Sequence, residues 1–378
     1  MAAGDVSGAI IGCNSMRRIR LDLKKRSYNI RISYNEIDKL GSFIKKLKIG
    51  TDAIVISNPL VKKLFGSKIQ RTLASSGFRV KFELVPDSEK AKSEKYCLRL
   101  LNNISRLDGS GRGIFIVALG GGVIGDLAGF VASIYRRGIP YVQVPTTLLA
   151  QVDSAIGGKV AIDLDIGKNL AGSFYQPRLV FSDTALLKTL PKSDLTSGMA
   201  EVIKYGLISS PRLFKILEHS YTKILRRDKG LLQHVVHACS LIKAGIVEKD
   251  EHDNKDIRVI LNLGHTIGHA IEAAAHYSKA YSHGQAVALG ILAASFISKE
   301  SGSLLQTDYL RIKSLVKKIG LKTTLKGLDP EDILSRQEHD KKFIHGKNRF
   351  VLPVGIGRVV VKEGIPISLV REAISSLL

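Results

Sequence analysis

The sequence predicts an α/β architecture followed by an α one: a Rossmann-like parallel-sheet domain in the N-terminal half and a mainly α-helical domain in the C-terminal half. Three observations carry this. Between Met16 and about residue 185, short apolar strands alternate with amphipathic helices. One of these strands runs directly into a glycine-rich turn and a helix. Beyond Pro191, helical periodicity is nearly continuous. At typical domain sizes a chain of 378 residues with 44% hydrophobic content reads as about two domains.

Residues 1–15 are small, mixed and unpatterned, and are expected to be a disordered leader, with Met16 a possible functional start. Met16-Arg-Arg-Ile-Arg-Leu-Asp-Leu begins an alternating strand pattern. The clearest strands after it are Ala53 to Ile56, Val80 to Leu84, Gly113 to Leu119 and Tyr141 to Val144. The expected first domain covers 16–185. The second, 186–378, contains helices expected over Ser210 to Leu225, Leu231 to Lys249, His265 to Ala275, Gly284 to Ser301 and Thr307 to Lys318. A hairpin from Arg349 to Val359-Val-Val-Lys precedes a last helix.

The formal charge of +23 raises the possibility of nucleic-acid binding. The basic residues are scattered, however, as in Lys45-Lys46, Lys62-Lys63, Arg226-Arg227 and Lys341-Lys342, so a solvated surface whose field favours small anions is the better reading. No apolar run reaches the roughly 18 residues expected of a membrane span. The N-terminus lacks a secretory pattern. These points predict a cytoplasmic protein with neither nucleic-acid nor membrane partners. Cys13, Cys97 and Cys239 are odd in number and form no CxxC, which suggests neither disulfides nor a zinc ribbon.

Glycines 120, 122 and 125 match GxGxxG between the strand Gly113 to Leu119 and a helix expected over Leu127 to Arg137. That context suits a pyrophosphate lying over backbone at a helix N-terminus. No acidic residue stands about 20 positions beyond to hold a ribose. A ribose contact is therefore expected from Asp87-Ser-Glu89-Lys-Ala-Lys92, after an earlier strand. Thr146 and Thr147 fall at the end of the next strand, and Gly157-Gly158-Lys159 gathers backbone amides and one ammonium without being a Walker loop.

Histidines 265 and 269 stand four residues apart in Asn262-Leu-Gly-His-Thr-Ile-Gly-His-Ala-Ile-Glu272 and share a helical face, half of a metal site, with His283 a candidate third ligand. Glu201 and Lys204 lie three apart in an apolar stretch, where a buried glutamate wants a cation. Glu201 with His265 and His283 completes a two-histidine, one-carboxylate set that leaves zinc open to substrate. Lys159, Lys204, Lys243 and Arg258 then supply more positive charge than one carboxylate needs, which predicts a multiply anionic substrate such as a carboxylated phosphate ester.

Leu119-Gly-Gly-Gly-Val-Ile-Gly-Asp-Leu-Ala-Gly-Phe-Val-Ala-Ser, Pro145-Thr-Thr-Leu-Leu-Ala-Gln-Val-Asp-Ser, Ile156-Gly-Gly-Lys, Gly167-Lys-Asn, Met199-Ala-Glu-Val-Ile-Lys and the Asn262 block together resemble the 3-dehydroquinate synthase family, within the wider sugar phosphate cyclases. The resemblance runs in order from about Met16 to the C-terminus. It implies a lyase with its site in the cleft between the two domains, using catalytic NAD and one divalent metal, zinc or cobalt. The implied reaction turns 3-deoxy-D-arabino-heptulosonate 7-phosphate into 3-dehydroquinate and phosphate through transient oxidation, elimination, reduction, ring opening and aldol closure.

The resemblance assigns Glu201, His265 and His283 to the metal. NAD would meet Asp87, Ser88, Glu89, Lys90, Ala91, Lys92, Gly121, Gly122, Val123, Ile124, Gly125, Asp126, Thr146, Thr147, Lys159, Lys168, Leu186, Leu187, Lys188 and Thr189. Substrate would meet Asp153, Lys159, Asn169, Lys204, Lys243, Arg258, Asn262 and His269, with Arg137 reaching a neighbouring subunit's site in a homodimer. Among these, His269, Lys159, Lys204 and Asn262 are the expected catalytic residues. On this assignment the histidine pair divides: His265 on the metal, His269 facing substrate. Two departures stand out: Gln285 where the family usually shows glutamate, and Ser57-Asn58 where an aspartate is common. Lys347 or Arg349 is the expected C-terminal basic contact.

Overall fold

The computed structural model describes residues 16–108, 113–338 and 348–378, so the expectations for 1–15, Lys341-Lys342 and Lys347 lie outside the described residues. A seven-stranded sheet organises the first half. Its strands are β1 (Arg17–Leu21), β2 (Tyr28–Ser33), β3 (Asp52–Ser57), β4 (Arg79–Leu84), β5 (Ile114–Gly120), β6 (Tyr141–Pro145) and β9 (Leu179–Asp183), and β7 (Lys159–Leu164) with β8 (Gly167–Phe174) form a separate hairpin. The spatial order is β1-β2-β9-β6-β5-β3-β4, parallel except for the antiparallel β1-β2 pair.

Strands β3, β5, β6 and β9 are buried along their whole length, and β3, β5 and β9 carry apolar residues on both faces. Both faces are covered, as a parallel sheet requires. Ala53, Val55, Val117 and Leu119 meet Leu40 and Ile44 of α1 (Leu40–Leu47) and Ile69 and Leu73 of α2 (Pro59–Ser75). Their alternate neighbours Ile54, Ile56, Ile116 and Ala118 meet Leu100 and Ile104 of α3 (Glu94–Leu107) and Leu127 and Val131 of α4 (Gly122–Ile134).

Chain order moves outward to β4 from β3 and in the opposite direction to β6 from β5. The crevice at the carboxyl ends of β3 and β5 is therefore a topological switch point, where ligands of open α/β sheets collect. Helix α4 starts at Gly122, inside the glycine run and five residues earlier than the sequence pattern places it. The glycines are tolerated there because they form the first turn, where close approach matters more than propensity.

Among the described residues eight further α-helices follow: α5 (Lys192–Ser209), α6 (Pro211–Leu225), α7 (Lys229–Lys249), α8 (His265–Ala274), α9 (His283–Glu300), α10 (Gln306–Ile319), α11 (Pro330–Glu338) and α12 (Ile367–Ser375), with the expected hairpin β10 (Arg349–Gly355) and β11 (Arg358–Glu363) before the last. Their core is continuous with the β1-β2 end of the sheet, joining Ile19, Leu21, Ile30 and Ile32 to Val202, Val235 and Val287. Helix α7 is long and apolar enough by composition to cross a membrane. It packs Leu232, Val235, Val236 and Val247 into this core instead, and carries Lys243 among them.

Helices α8 and α9 pack closely through glycine. Gly264 (φ +80°) begins α8 in the left-handed region, and a Cβ on Gly290 would stand 1.9 Å from the Gly264 carbonyl oxygen. Gly290→Ala is therefore expected to force the helices apart and cost about 1–3 kcal/mol of stability. Because His265 opens α8 and His283 opens α9, the same variant should also bind metal less tightly. Thermal melting and metal content after gel filtration check both.

Candidate active site

Strand β5 ends at Gly120, and Gly121 precedes α4 without a side-chain cap. The unpaired N–H groups of the first turn thus face outward, the arrangement that binds anions. A Cβ on Gly121 would come within 3.0 Å of Thr147 Cγ2, and one on Gly122 within 3.1 Å of Ser154 Oγ. Around this turn opens a cleft of about 450 Å³ lined by Asp87, Ser88, Glu89, Gly121, Gly122, Val123, Ile124, Thr146, Thr147 and Thr189 of the expected set.

The sequence pattern missed other parts of the lining, including Leu60, Val61, Leu64, Phe65 and Ser197. Asn58 belongs there too and explains one departure. Its Oδ1 accepts from Val61 N–H (2.8 Å) to cap α2, while its Nδ2 donates to Asp87 Oδ1 (2.6 Å). An aspartate at 58 would meet Asp87 with like charge, whereas the amide fixes it. The cap preference of Asn followed by Pro59 was a legible signal for this.

The cleft also reaches His283, and there it meets a second constellation. Glu201 is fully buried on α5. Among the described residues its Oε1 makes no hydrogen bond, yet lies 3.4 Å from both His265 Nε2 and His283 Nε2. The other nitrogens are anchored behind: His265 Nδ1 contacts Leu263 O and His283 Nδ1 contacts Glu272 Oε2, both at 3.1 Å. Such backing turns Nε2 inward and is the usual support of a metal-ligating histidine. Burial opposes charge on His283, but the carboxylates of Glu201 and Glu272 outweigh it and push its pKa up to about 10. The convergent N₂O set, with its unbonded buried oxygen, fits a divalent zinc- or cobalt-type ion.

His269 stands one turn along α8, exposed, with its ring centroid 5.3 Å from that of His265. It falls outside the Glu201 set and shares a second, more exposed grouping with Glu272 and His283. The sequence had not singled out a partner for His283; the glutamate three residues beyond His269 was visible but carried no spacing signal to it.

Beside Glu201 lies a buried ion network. Lys204 touches Glu201 and donates to Asp153 Oδ2 (3.0 Å), while Lys243 donates to Asp153 Oδ1 and to its carbonyl oxygen (2.8 Å). Asp153 sits in a π-helical turn, Ala150–Ser154, that the sequence did not reveal. Burial disfavours the Lys204 ammonium, but Asp153 and Glu201 outweigh it and hold its pKa above the ordinary value. For Lys243, burial prevails over Asp153, and the nearby Arg258 and Lys204 charges push the same way, so its pKa falls. The Arg258 guanidinium is buried, bonded to Glu251 O (2.9 Å), with Nε left without a hydrogen bond among the described residues.

Asp250 shapes the loop that brings Arg258 here, accepting from the N–H groups of Asn254, Lys255, Ile257 and Arg258 at 3.0–3.3 Å. Two other expected cations rest on the same loop: Lys159 pairs with Asp253, and Arg349 Nη1 with Asp256 (2.8 Å). Asn262 ends the short helical turn Arg258–Asn262 just before His265.

Several expected cofactor residues do not line the cleft. Ala91, Gly125, Leu186 and Leu187 are buried in packing, Lys90 and Lys188 are exposed, and Lys168 pairs with Glu89 at 3.6 Å. Lys92 is buried and turned onto Asp126, away from the lining. Arg137 is exposed beyond the C-terminal end of α4, in the left-handed region (φ +64°), at the opposite end of that helix from the glycine turn. Gln285, the second departure, bonds its Oε1 to Lys322 N–H (2.7 Å) and so braces the segment after α10.

Comparison with known proteins accounts for this combination. The model of the 3-dehydroquinate synthase N-terminal region matches residues 83–197, and that of the C-terminal region matches 198–343. A 3-dehydroquinate synthase of Desulforamulus reducens is 44% identical over 351 residues, covering 93% of this chain and 97% of the relative. Among solved structures, 2-deoxy-scyllo-inosose synthase complexed with carbaglucose-6-phosphate, NAD+ and Co2+ superposes with a TM-score of 0.86 at 27% identity, covering 96% of this chain and 100% of that one. The 2-epi-5-epi-valiolone synthase of Streptomyces hygroscopicus subsp. jinggangensis, with NAD+ and Zn2+ bound, shares the fold with a TM-score of 0.84 at 23% identity, over 94% and 98% of the two chains.

Proposed function

The chain belongs to the 3-dehydroquinate synthase family, and we propose that its cleft converts 3-deoxy-D-arabino-heptulosonate 7-phosphate to 3-dehydroquinate and phosphate with the residues in the following roles. It is a phosphorus–oxygen lyase of the shikimate pathway that uses NAD and a divalent metal. One observation carries the assignment of roles: His283 belongs both to the Glu201 metal set and to the wall of the glycine-turn cleft, so a dinucleotide and a metal meet at one point.

In this reading the α4 N-terminus, Thr146, Thr147 and Asp87 hold the dinucleotide. Glu201, His265 and His283 hold the metal. When bound, these groups supply reversible oxidation of a ring hydroxyl and stabilisation of its alkoxide. The chain itself supplies orientation and charge. Lys243 and Arg258, with Lys204 behind them, receive the substrate's carboxylate and phosphate, whose negative charge adds to that of Asp153 and offsets the penalty that burial places on the Lys243 ammonium. Asn169 and Asn262 donate to ring hydroxyls. His269, exposed beside the metal set, relays the hydroxyl proton through its ring nitrogen. Leaving phosphate, already in place, takes the adjacent C–H proton.

The assignment treats 16–185 as the NAD-binding domain and 186–378 as the metal- and substrate-binding domain. It includes a homodimer, supported by the exposed Arg137 lying at the opposite end of α4 from its own glycine turn, and a cytoplasmic location, where NAD and sugar phosphates are available. A sibling cyclase acting on a carboxylate-free heptulose phosphate is the competing assignment, since that chemistry shares the same fold. The cations at 243 and 258 favour the carboxylated substrate. Phosphate release measured with both compounds is expected to favour the heptulosonate by at least about a hundredfold in kcat/KM. Equal rates would sink the assignment.

A further inference from the structure

We propose that Lys92 is a positioning residue that sets the Asn169 side chain for substrate and cancels the Asp126 charge beside the glycine turn; this rests on the reading that Asn169 meets the substrate. Lys92 is only 4% exposed, yet three polar partners from three segments converge on its ammonium. Asp126 Oδ2 of α4 accepts from Nζ at 2.8 Å, Asn169 Oδ1 of β8 accepts from it as well, and Asp163 Oδ1 of β7 lies 3.9 Å away. The backbone reinforces the junction. Asp163 N–H donates to Lys92 O (2.7 Å), and Asn169 N–H donates to Asp163 Oδ1 (2.9 Å).

Asn169 is held in the left-handed region (φ +57°), a conformation Asn tolerates better than most residues but does not prefer. An ammonium has only donors, so it fixes which end of the amide faces it. Oδ1 must turn to Lys92, and Nδ2 is thereby presented outward from an exposed residue as a hydrogen-bond donor. At its other contact, Lys92 neutralises Asp126 in the second turn of α4, where an uncompensated carboxylate would weaken the positive end of the helix for an anionic ligand. Each of its hydrogen-bonding partners is thus used twice, once for the fold and once for the site.

The test is a double-mutant cycle in the full-length, metal-loaded enzyme. Lys92→Met leaves Asp126 buried and uncompensated, and such a variant can fail to fold. The cycle therefore uses Lys92→Met/Asp126→Asn, which removes the opposite charges together, with and without Asn169→Ala. At saturating NAD, the charge-balanced variant is expected to raise the KM for the heptulosonate phosphate roughly tenfold, and to change it less than about twofold when Asn169 is already alanine. An unchanged KM, or the same rise repeated in the Asn169→Ala background, overturns the proposal. Asn169→Ala alone separates the two ideas. If it leaves KM unaltered, the reading of Asn169 as a substrate contact falls; if it raises KM and Lys92 acts additively, only the positioning role falls.

Discussion

His265→Ala is expected to lose the bound metal and, with it, turnover by a factor of about a thousand or more, whereas His269→Ala keeps one metal per chain and loses turnover alone. The geometry gives the difference. His265 Nε2 converges on the unbonded Glu201 Oε1 with its other nitrogen anchored on Leu263 O. Removing it leaves two ligands, and a catalytic zinc-type site needs three. His269 lies outside that set. On the proposed assignment its loss removes a proton relay, typically a factor of about 10²–10⁴. Metal content by elemental analysis, measured beside kcat, separates the two. Retention of full metal by His265→Ala would contradict the assignment.

Lys204→Met is expected to destabilise the fold by about 3–5 kcal/mol, beyond its effect on activity. The ammonium is 1% exposed and serves two carboxylates, Glu201 at 0% and Asp153 at 17% side-chain exposure. Methionine fills a similar volume but returns no charge, so two buried carboxylates lose their cation. The remaining positive partner of Asp153 is Lys243, whose own pKa burial already lowers. The double variant Lys204→Met/Asp153→Asn should recover part of the lost stability, because it removes one stranded charge along with the cation. Chemical denaturation of the metal-free protein, in which no divalent ion compensates Glu201, measures both. No recovery in the double variant would mean that Glu201 alone sets the cost.

Much of this was legible in the sequence because it is encoded locally. The buried parallel strands announce themselves as apolar runs, and Gly120 to Gly125 after one of them marks the anion-binding turn. Glu201 and Lys204 share a helical face by spacing, and His283 was close enough in sequence to be joined to His265. What was hidden depends on long-range contact. Asn58 reaches Asp87 between the ends of the neighbouring strands β3 and β4, Glu272 reaches His283 from the preceding helix, and Lys92 meets Asn169 only because β8 folds back beside it. The π-helical turn carrying Asp153 has no periodicity of its own, and the start of α4 at Gly122 runs against helix propensity. In each case tertiary packing decides what local preference leaves open.

The most direct test of the whole assignment is phosphate release from 3-deoxy-D-arabino-heptulosonate 7-phosphate, followed with absorbance at the NADH band, with and without added NAD and a metal chelator. Release that requires both NAD and metal, with no net accumulation of NADH, is the expected result. Release indifferent to both, or NADH rising in step with turnover, would contradict it.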